Sequence, residues 1–298
     1  MKVYSKIDEL PNGIASNELT EGCLVLEGGA FRGLYTSGVT DALMQNGINL
    51  SCTIGVSAGA LNGLNYVSGN IGRSARINLR YRHDSRYVGI KAYQHNKGII
   101  GFDFVLDQIN SSDPMNLEYF WNPERRFIVE ATSCNNGEPS YFEKGKCSNI
   151  LKGIQASASM PYVSKMVMID GVPYLDGGCS KAIPYEWALQ NHYKKIIVVR
   201  TRPLDFRKAD EMMMPAFHVY KNYPMFANSL ASSKIEYNRE CDEIVKLTEE
   251  NRIFTIAPSC PITVSRVESD MEKLGDLYYL GYNDTLACLD NLKKYLAE

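Results

Sequence analysis

Short apolar runs alternate with segments of helical periodicity along the first part of the chain. Residues 23–26 and 52–54 are apolar runs typical of buried strands, and a helix-like segment follows each of them. Residues 195–200 form a nearly continuous apolar run, which is typical of a strand buried on both faces. Because the order strand–helix–strand–helix favours parallel pairing, the pattern predicts an α/β fold whose sheet is covered by helices.

The middle and the end of the chain add hairpins and longer helices to this pattern. An Asn-Asn-Gly turn at 135–137 separates two segments of strand composition, and an Asp-Gly turn at 170–171 lies within another such pair. Strands are therefore predicted at 126–132, 140–143, 166–176 and 252–256, and helices at 150–157, 184–189, 220–250 and 270–297. The last helix is predicted to break near Gly281.

The composition changes nowhere sharply enough to mark a linker, so residues 1–298 are predicted to form a single domain. Residues 1–20 form a polar, irregular lead-in, and 21–200 carry the motifs described below. Residues 201–298 form a helical C-terminal part with one further strand. The less regular segment 70–124, with one helix around 101–109, is a candidate cap over a functional site.

Charge and hydropathy make several classes of protein improbable. The formal net charge is −2, and no block of Lys and Arg with interleaved aromatic residues is present, so no nucleic-acid partner is expected. No apolar run approaches the roughly 20 residues that a membrane helix needs. The first ten residues contain no apolar signal region, so we expect a cytoplasmic protein.

The cysteines and histidines do not indicate a metal site. Eight scattered cysteines, without a Cys-x-x-Cys pair, are predicted to be buried free thiols and not a disulfide framework. The four histidines form no His-Glu-x-x-His motif. We therefore expect neither a bound metal nor another cofactor.

The segment from Gly55 to Gly59 has the pattern Gly-x-Ser-x-Gly, with Ser57 at its centre. A predicted strand precedes it and a predicted helix follows, which is the context of a nucleophile elbow. In such an elbow the serine is strained and exposed at the end of the sheet, and the glycines avoid collisions that a Cβ would cause. The N–H groups that begin the helix point at the group under attack. Ser57 is therefore the candidate nucleophile of a serine hydrolase.

A second glycine-rich loop, residues 28–33, lies between the preceding predicted strand and its helix. Its glycines let backbone N–H groups approach a ligand closely, as an oxyanion hole requires. Arg32 can position the loop or add positive potential. Phosphate binding fits less well, since Ala30 stands at a glycine position of Gly-x-Gly-x-x-Gly and no Gly-Lys-Ser/Thr motif is present. A plain tight turn is the alternative.

Two kinds of side chain are candidates for the base that accepts the serine proton. His192 and His218 lie downstream of the serine, but neither directly follows a predicted strand, and His83 and His95 lie in the candidate cap. Asp176 ends a strand-like run and is followed by two glycines, which let the chain turn and the carboxylate reach across. An ionised aspartate within hydrogen-bond reach can itself act as the base. A plain Asp-Gly turn is the alternative.

Taken in order along the chain, the three motifs resemble the three signatures of the patatin-like phospholipases. The similarity covers roughly residues 21–200, and the tail around 264–268 and 280–282 resembles a bacterial branch of the family. The resemblance implies a three-layer α/β/α fold with a mostly parallel central sheet. It also implies hydrolysis of acyl esters, often those of phospholipids or neutral lipids.

The resemblance further implies a dyad of Ser57 and Asp176 that works without a histidine. The oxyanion hole implied by it comprises Gly28, Gly29 and Ala30, with Arg32 as the arginine of the motif. The remaining motif glycines are Gly33, Gly55, Gly59, Gly177 and Gly178. Ala30 replaces a glycine of the family pattern. Because a methyl group is tolerated there only at a negative φ, we expect a negative φ at Ala30.

An acyl substrate needs an apolar slot, for which the Met-rich segment 212–217 and residues 223–226 are candidates. No strongly basic amphipathic helix is present, so contact with a membrane surface is expected to be weak and transient. The sequence therefore predicts a serine acyl-ester hydrolase that acts on lipid esters. The alternatives are a histidine-dependent esterase of small esters, with His192 or His218 as base, and a catalytically silent lipid-binding protein.

Overall fold

The computed structural model describes residues 2–96, 98 and 100–298. The side chains of residues 90, 95, 96 and 107 lie outside this description. The described part of the chain contains two long helices near the C-terminus, several shorter helices, one large sheet and one small sheet of two strands.

The strands follow the predicted apolar runs closely, and the runs at 23–26, 52–54 and 126–132 are confirmed. Their bounds are β1 (Gly13–Ile14), β2 (Thr20–Leu26), β3 (Leu50–Val56), β4 (Asn70–Ile71), β5 (Arg126–Ser133), β6 (Pro139–Glu143), β7 (Val167–Ile169), β8 (Val172–Asp176), β9 (Ile196–Val199) and β10 (Phe254–Ile256). The predicted lead-in is therefore less irregular than expected, because it contains β1 and the start of β2.

The helices lie between these strands and at the C-terminus. Their bounds are α1 (Gly33–Gln45), α2 (Ala58–Val67), α3 (Arg73–Tyr81), α4 (Ile90–Asn96), α5 (Ile109–Ser112), α6 (Leu117–Trp121), α7 (Ile150–Ser157), α8 (Tyr185–Gln190), α9 (Pro215–Val219), α10 (Pro224–Glu249) and α11 (Met271–Ala297). Where a helix was predicted around 101–109, the chain forms a π-helical turn, Phe104–Gln108, that leads into α5. The helix predicted from 220 begins at Pro224, since proline is favoured in a first turn.

The large sheet has the strand order β10-β9-β2-β3-β5-β8-β7, and β6 also pairs with β5. The first five strands of this order are parallel to one another. The pairs β5–β8, β8–β7 and β5–β6 are antiparallel. This mostly parallel sheet with flanking helices confirms the predicted α/β fold class.

Strand β2 illustrates why helices cover both faces of the sheet. Leu24 and Leu26 belong to a core cluster that they share with α1 and α11. Cys23 and Val25 belong to another cluster, which they share with α8 and α10. Because successive side chains of a strand point to opposite faces, the sheet separates two helical layers.

Five of the eight cysteines are buried free thiols, as predicted. Cys260 is exposed, so the prediction that all eight are buried is wrong for this residue.

Helix α11 is continuous through Gly281, so the predicted break at this glycine is wrong. The glycine serves close packing instead, because a Cβ at this position would lie 2.1 Å from the carbonyl oxygen of Tyr35 in α1. Likewise, a Cβ on Gly38 of α1 would lie 2.0 Å from the carbonyl oxygen of Tyr278 in α11. The contact between the two backbones offsets the helix-propensity cost of glycine, about 1 kcal/mol.

Among the described residues, no helix combines the length and the apolar character that crossing a bilayer requires.

Replacing Gly281 with alanine is expected to lower the free energy of unfolding by about 1–3 kcal/mol, although alanine is the better helix former. The reason is the clash of the new methyl group with the backbone of α1. Asn283→Ala, at an exposed position of the same helix, is the control and should be neutral or slightly stabilising. Urea denaturation of both variants tests this. A Gly281→Ala protein as stable as the wild type would contradict the close approach of α1 and α11.

Candidate active site

Ser57 lies in the sharp turn between β3 and α2, with φ +55° and ψ −120°. This is a strained conformation for a residue with a side chain, of the kind that proteins retain at functional sites. The backbone N–H of Ser57 donates to Ser157 Oγ at 2.8 Å, which helps to hold the turn. The side chain is therefore presented at the end of β3, at the start of the helix.

The glycines around Ser57 leave room for the crossing of strand and helix. A Cβ at Gly55 would lie 2.6 Å from the backbone of Gly59, and a Cβ at Gly59 would lie 2.3 Å from the carbonyl oxygen of Leu26. No ordinary side chain fits at such distances. The strand-to-helix turn therefore requires glycine at both positions.

Asp176 ends strand β8, and its carboxylate lies directly against the serine. The Ser57 hydroxyl donates to Asp176 Oδ2 at 2.8 Å, and the backbone N–H of Gly178 donates to Asp176 Oδ1 at 2.8 Å. Ser57 and Asp176 are 9% and 8% exposed, so both side chains are largely buried. The carboxylate is oriented by the turn that follows it and has one oxygen directed at the serine.

Strand β5 brings the two residues together, although they are far apart in sequence. Strand β3 runs parallel to β5, and its last residue, Val56, lies opposite Glu130. Strand β8 runs antiparallel to β5, and its last residue, Asp176, lies opposite Ala131. Since β6 pairs with the same part of β5, β3 and β8 share the other edge of β5 and approach each other end to end. Ser57, the residue after β3, therefore meets Asp176.

Burial raises the pKa of the Asp176 carboxyl to about 6, above its ordinary range. The hydrogen bonds from Ser57 and Gly178, and the positive charges of Arg266 and Lys208, act in the opposite direction. The carboxyl is therefore ionised at neutral pH and yet a stronger base than an exposed aspartate. A pKa in this range suits a general base that works near neutral pH.

The backbone N–H groups of the loop before α1 differ in their availability. The N–H of Gly28 donates to the carbonyl oxygen of Ala182 at 3.3 Å, so this group is already engaged. Within the described structure, the N–H groups of Gly29 and Ala30 donate no hydrogen bond, and neither does that of Ala58 at the start of α2. Three donors thus remain near the serine, and that of Ala58 is one of the helix-start N–H groups that the sequence analysis expected to point at the group under attack.

The conformation of Ala30 differs from the expectation. Its φ is +50°, in the left-handed region, and not negative. A left-handed conformation costs a residue with a Cβ roughly 1–2 kcal/mol. The backbone at this position therefore retains the conformation for which glycine is the usual residue, and the alanine adopts it under strain.

A buried ion pair that the sequence analysis missed anchors this loop to the sheet. Glu27 Oε2 accepts hydrogen bonds from Arg200 Nε at 3.2 Å and from the backbone N–H of Thr201 at 2.6 Å. Glu27 Oε1 accepts one from the hydroxyl of Tyr237 at 2.8 Å. Both charged side chains are almost fully buried, at 0% and 3% exposure. The signal in the sequence was a glutamate and an arginine, each directly after an apolar strand.

An apolar cavity of about 200 Å³ opens beside Ser57. Most of its wall comes from α2 and from the segment 70–124, which was predicted to be a cap; the apolar lining includes Leu61, Leu64, Ile77, Val88, Val105, Leu106, Met115, Phe120 and Trp121. Neither the Met-rich segment 212–217 nor residues 223–226 line this cavity, although Met213 lines the second cavity described below. Hydrophobic periodicity could not reveal which apolar segment faces the serine.

A second cavity, of about 770 Å³, lies on the other side of Ser57. Its lining is more polar and contains Asp176, Gly29 and Arg32, together with Arg202, Lys208 and Arg266. Ser57, Ala30, Met160 and Arg266 line both cavities, so the serine stands at the point where the cavities meet. The three last-named basic residues were not assigned a role from the sequence, because they lie far from the motifs along the chain.

None of the histidines with a described side chain contacts the Ser57–Asp176 pair. His83, His192 and His218 are exposed, and none of them lines either cavity. His83 Nε2 makes a hydrogen bond with the carbonyl oxygen of Ser269 at 2.9 Å. The side chain of His95 lies outside the described part.

Within the described residues, no group of three or more His, Cys, Asp or Glu side chains is arranged to hold a metal ion.

The chain belongs to the patatin-like phospholipase family, whose model matches residues 24–189, more than half of the chain. Membership confirms the resemblance seen in the three motifs and identifies the class of the protein as a lipid acyl hydrolase. A model described as a domain of unknown function, DUF6363, matches residues 223–297, which include α10 and α11.

Two relatives align over most of the chain. The chain is 27% identical over 265 residues to the "Uncharacterized protein YjjU" of Escherichia coli strain K12, covering 87% of this chain and 74% of that protein. It is 24% identical over 285 residues to the "Lysophospholipase NTE1" of Scheffersomyces stipitis, covering 91% of this chain but only 18% of that protein. A structural comparison finds the crystal structure of VipD from Legionella pneumophila, with a TM-score of 0.48, 14% identity, and coverage of 93% and 68% of the two chains.

Replacing Ala30 with glycine is expected to leave stability unchanged or raise it by up to about 1 kcal/mol, because glycine adopts the left-handed conformation without strain. Ala287→Gly, at an exposed position of α11, is the matched control and should cost about 1 kcal/mol. Thermal or urea unfolding of both variants measures the difference. If Ala30→Gly destabilises the protein as much as Ala287→Gly does, the backbone at position 30 is not strained.

Proposed function

We propose that this protein hydrolyses acyl esters of lipids, with Ser57 as nucleophile and Asp176 as general base. The observation that carries the proposal is the 2.8 Å hydrogen bond from Ser57 Oγ to a buried carboxylate, at the mouth of an apolar cavity. A serine in a strained turn, a base in contact with it and free N–H groups nearby are the parts that acyl transfer requires.

In the acylation step, Asp176 accepts the proton of the Ser57 hydroxyl while Oγ attacks the carbonyl carbon of the ester. The negative charge that develops on the carbonyl oxygen is stabilised by the free N–H groups of Gly29, Ala30 and Ala58. The tetrahedral intermediate then collapses and the ester bond breaks. The protonated Asp176 gives its proton to the departing alkoxide, which leaves as the alcohol.

In the deacylation step, a water molecule replaces the alcohol beside Asp176. The carboxylate takes a proton from the water as its oxygen attacks the acyl-serine, and the same N–H groups stabilise the second intermediate. On collapse the proton passes to Ser57 Oγ, and the fatty acid is released. One carboxylate thus serves as base and as acid in turn.

A lipid acyl group is the substrate part that the apolar cavity supports. The cavity is lined by aliphatic and aromatic side chains, and burying an acyl chain against them gains roughly 0.8 kcal/mol for each methylene removed from water. Because this cavity adjoins Ser57, a chain bound in it has its carbonyl carbon near the serine oxygen.

The two alternatives receive less support. A histidine-dependent mechanism requires an imidazole near Ser57, whereas the described histidine side chains are exposed and line neither cavity. A catalytically silent lipid-binding protein does not require a hydrogen-bonded Ser–Asp pair beside free N–H groups. The strained backbone at Ser57 would then have an energetic cost and no function.

Substitution of either member of the pair is expected to remove most activity. Ser57→Ala should reduce kcat to background on a chromogenic fatty-acid ester, since no nucleophile remains. Asp176→Asn should reduce it by about 10²–10⁴-fold, because the shape is kept but the base is lost. Steady-state kinetics on the purified variants measures both effects.

Asp170→Asn is the matched control, because Asp170 also precedes a glycine but lies exposed at a hairpin tip. It should retain wild-type kinetics, as should His83→Ala, His192→Ala and His218→Ala. An Asp176→Asn enzyme with most of its activity would exclude the dyad, and a histidine variant without activity would favour the histidine-dependent mechanism.

The pH dependence should follow the ionisation of Asp176, whose pKa is raised to about 6 by burial. Only the ionised carboxyl can accept the serine proton, so activity is lost as the pH falls through this value. We expect kcat/KM to decrease about tenfold per unit below pH 6 and to level off above it. A neutral ester and circular dichroism at each pH serve as controls. A flat profile down to about pH 5, with the fold intact, would contradict the assignment of the base.

A further inference from the structure

The apolar cavity beside Ser57 has a polar part that a plain acyl chain does not explain. Besides the serine, its lining includes the polar residues Asn62, Asn65, Arg73, Ser74, Asn78, Asn110 and Arg266. Among the described residues of this lining there is no Asp or Glu, so its two charged side chains are both cations. Arg266 also lines the second cavity, which leaves Arg73 as the charge that lines the apolar cavity alone.

Arg73 is the first residue of α3, and its guanidinium lies in the wall of this cavity. The residue is 2% exposed. Its Nη1 donates to Asn65 Oδ1 at 2.6 Å and its Nη2 donates to Asn110 Oδ1 at 3.3 Å, and both asparagines line the cavity. Its Nε donates to the carbonyl oxygen of Asp113 at 2.7 Å. These bonds use three of the five N–H groups of the guanidinium, so one N–H remains on each terminal nitrogen.

Arg73 has no carboxylate of its own among the described residues. The carboxylate within ion-pair distance is that of Asp113, whose Oδ1 lies 4.0 Å from Arg73 Nε. This carboxylate is engaged by Arg76, which donates from Nε to Oδ2 at 2.9 Å and from Nη2 to Oδ1 at 3.1 Å. Two guanidinium groups thus share one carboxylate, and Arg76 holds it in the paired geometry. A buried charge with neutral partners is costly, and an anion beside Arg73 would offset that cost.

Helix α2 gives the distance between the serine and Arg73, because the cavity runs along this helix. The residues of α2 that line it are Ala58, Leu61, Asn62, Leu64 and Asn65. Asn65 follows Ser57 by eight residues, so at about 1.5 Å per residue it lies about 12 Å further along the helix axis. An extended acyl chain, with C–C bonds of about 1.5 Å, advances by about 1.3 Å per carbon. A chain attached to Ser57 therefore reaches Arg73 at about its ninth carbon.

We propose that Arg73, held by Asn65 and Asn110, is a subsite for a carboxylate at the far end of the acyl chain. This inference rests on the proposed hydrolase function and adds a substrate class to it: half-esters of dicarboxylic acids with about nine carbons. The free carboxylate accepts the remaining N–H groups of the guanidinium, in the charge-assisted pairing that guanidinium groups form with carboxylates. The apolar lining holds the methylene groups between the two ends, and the alcohol of the ester takes no part in this recognition.

The test compares two esters of equal chain length, p-nitrophenyl hydrogen nonanedioate and p-nitrophenyl nonanoate, in the same buffer at neutral pH. The wild type should prefer the dicarboxylic ester in kcat/KM by about tenfold or more. The same comparison between p-nitrophenyl hydrogen hexanedioate and p-nitrophenyl hexanoate should give a ratio near one, because the shorter chain does not reach Arg73. A carboxylate bound by Arg266, at the serine end, would not require the longer chain.

Substitutions in α3 test the assignment to Arg73. In Arg73→Gln, the ratio of the two kcat/KM values at nine carbons should fall by about tenfold or more. Arg73→Lys keeps the charge but loses the fork of donors, so it should keep part of the preference. Arg80→Gln, which removes a charge from an exposed position of the same helix, is the control and should leave the ratio unchanged. The chain-length comparison needs no variant, so it tests the proposal even where Arg73→Gln does not fold.

Binding to the Ser57→Ala protein separates the subsite from the reaction. Calorimetry should show that ethyl hydrogen nonanedioate binds more tightly than ethyl nonanoate by about tenfold. Adding Arg73→Gln should remove this difference, whereas adding Arg80→Gln should not.

The outcomes distinguish the two proposals. If no ester is hydrolysed but ethyl hydrogen nonanedioate binds in an Arg73-dependent way, the proposed function fails and the carboxylate subsite stands. If esters are hydrolysed but the dicarboxylic ester is not preferred at nine carbons, the subsite is overturned. A preference that is equal at six and nine carbons, or that survives in Arg73→Gln, also overturns it, since the carboxylate is then bound elsewhere.

Discussion

The end-to-end approach of β3 and β8 on one edge of β5 is the constraint on which the rest of the site depends. One strand runs parallel to β5 and the other antiparallel, so their last residues point toward each other. Ser57 and Asp176 meet across this gap at hydrogen-bond distance. A change of register by one residue on either strand would turn the side chain to the other face of the sheet and separate the pair. The proposed chemistry therefore relies on the pairing of β5 more than on any loop.

Burial and charge around this junction act in opposite directions. Burial raises the pKa of Asp176, and the positive charges of Arg266 and Lys208 lower it, so the carboxylate stays ionised at neutral pH but retains basicity. The buried ion pair of Glu27 and Arg200 holds the neighbouring loop.

The fold and the serine turn could be predicted from the sequence because they depend on local signals. Apolar runs marked the central strands, and Gly-x-Ser-x-Gly between a strand and a helix marked the turn at Ser57. What the sequence did not reveal depends on contacts between distant segments. The apolar cavity is built largely from the segment 70–124, the second cavity uses Arg202 and Arg266, and Gly281 packs against another helix within a continuous α11. Periodicity carries no information about such contacts.

The most direct measurement is the reaction of the purified protein with a fluorophosphonate, followed by mass spectrometry to locate the modified residue. Such reagents form a covalent bond with a serine only when its hydroxyl is activated. The account predicts a single adduct on Ser57, no adduct in Ser57→Ala, and much slower labelling in Asp176→Asn. An adduct on another serine, or no adduct on a folded wild-type protein, would contradict the central claim that Asp176 activates Ser57.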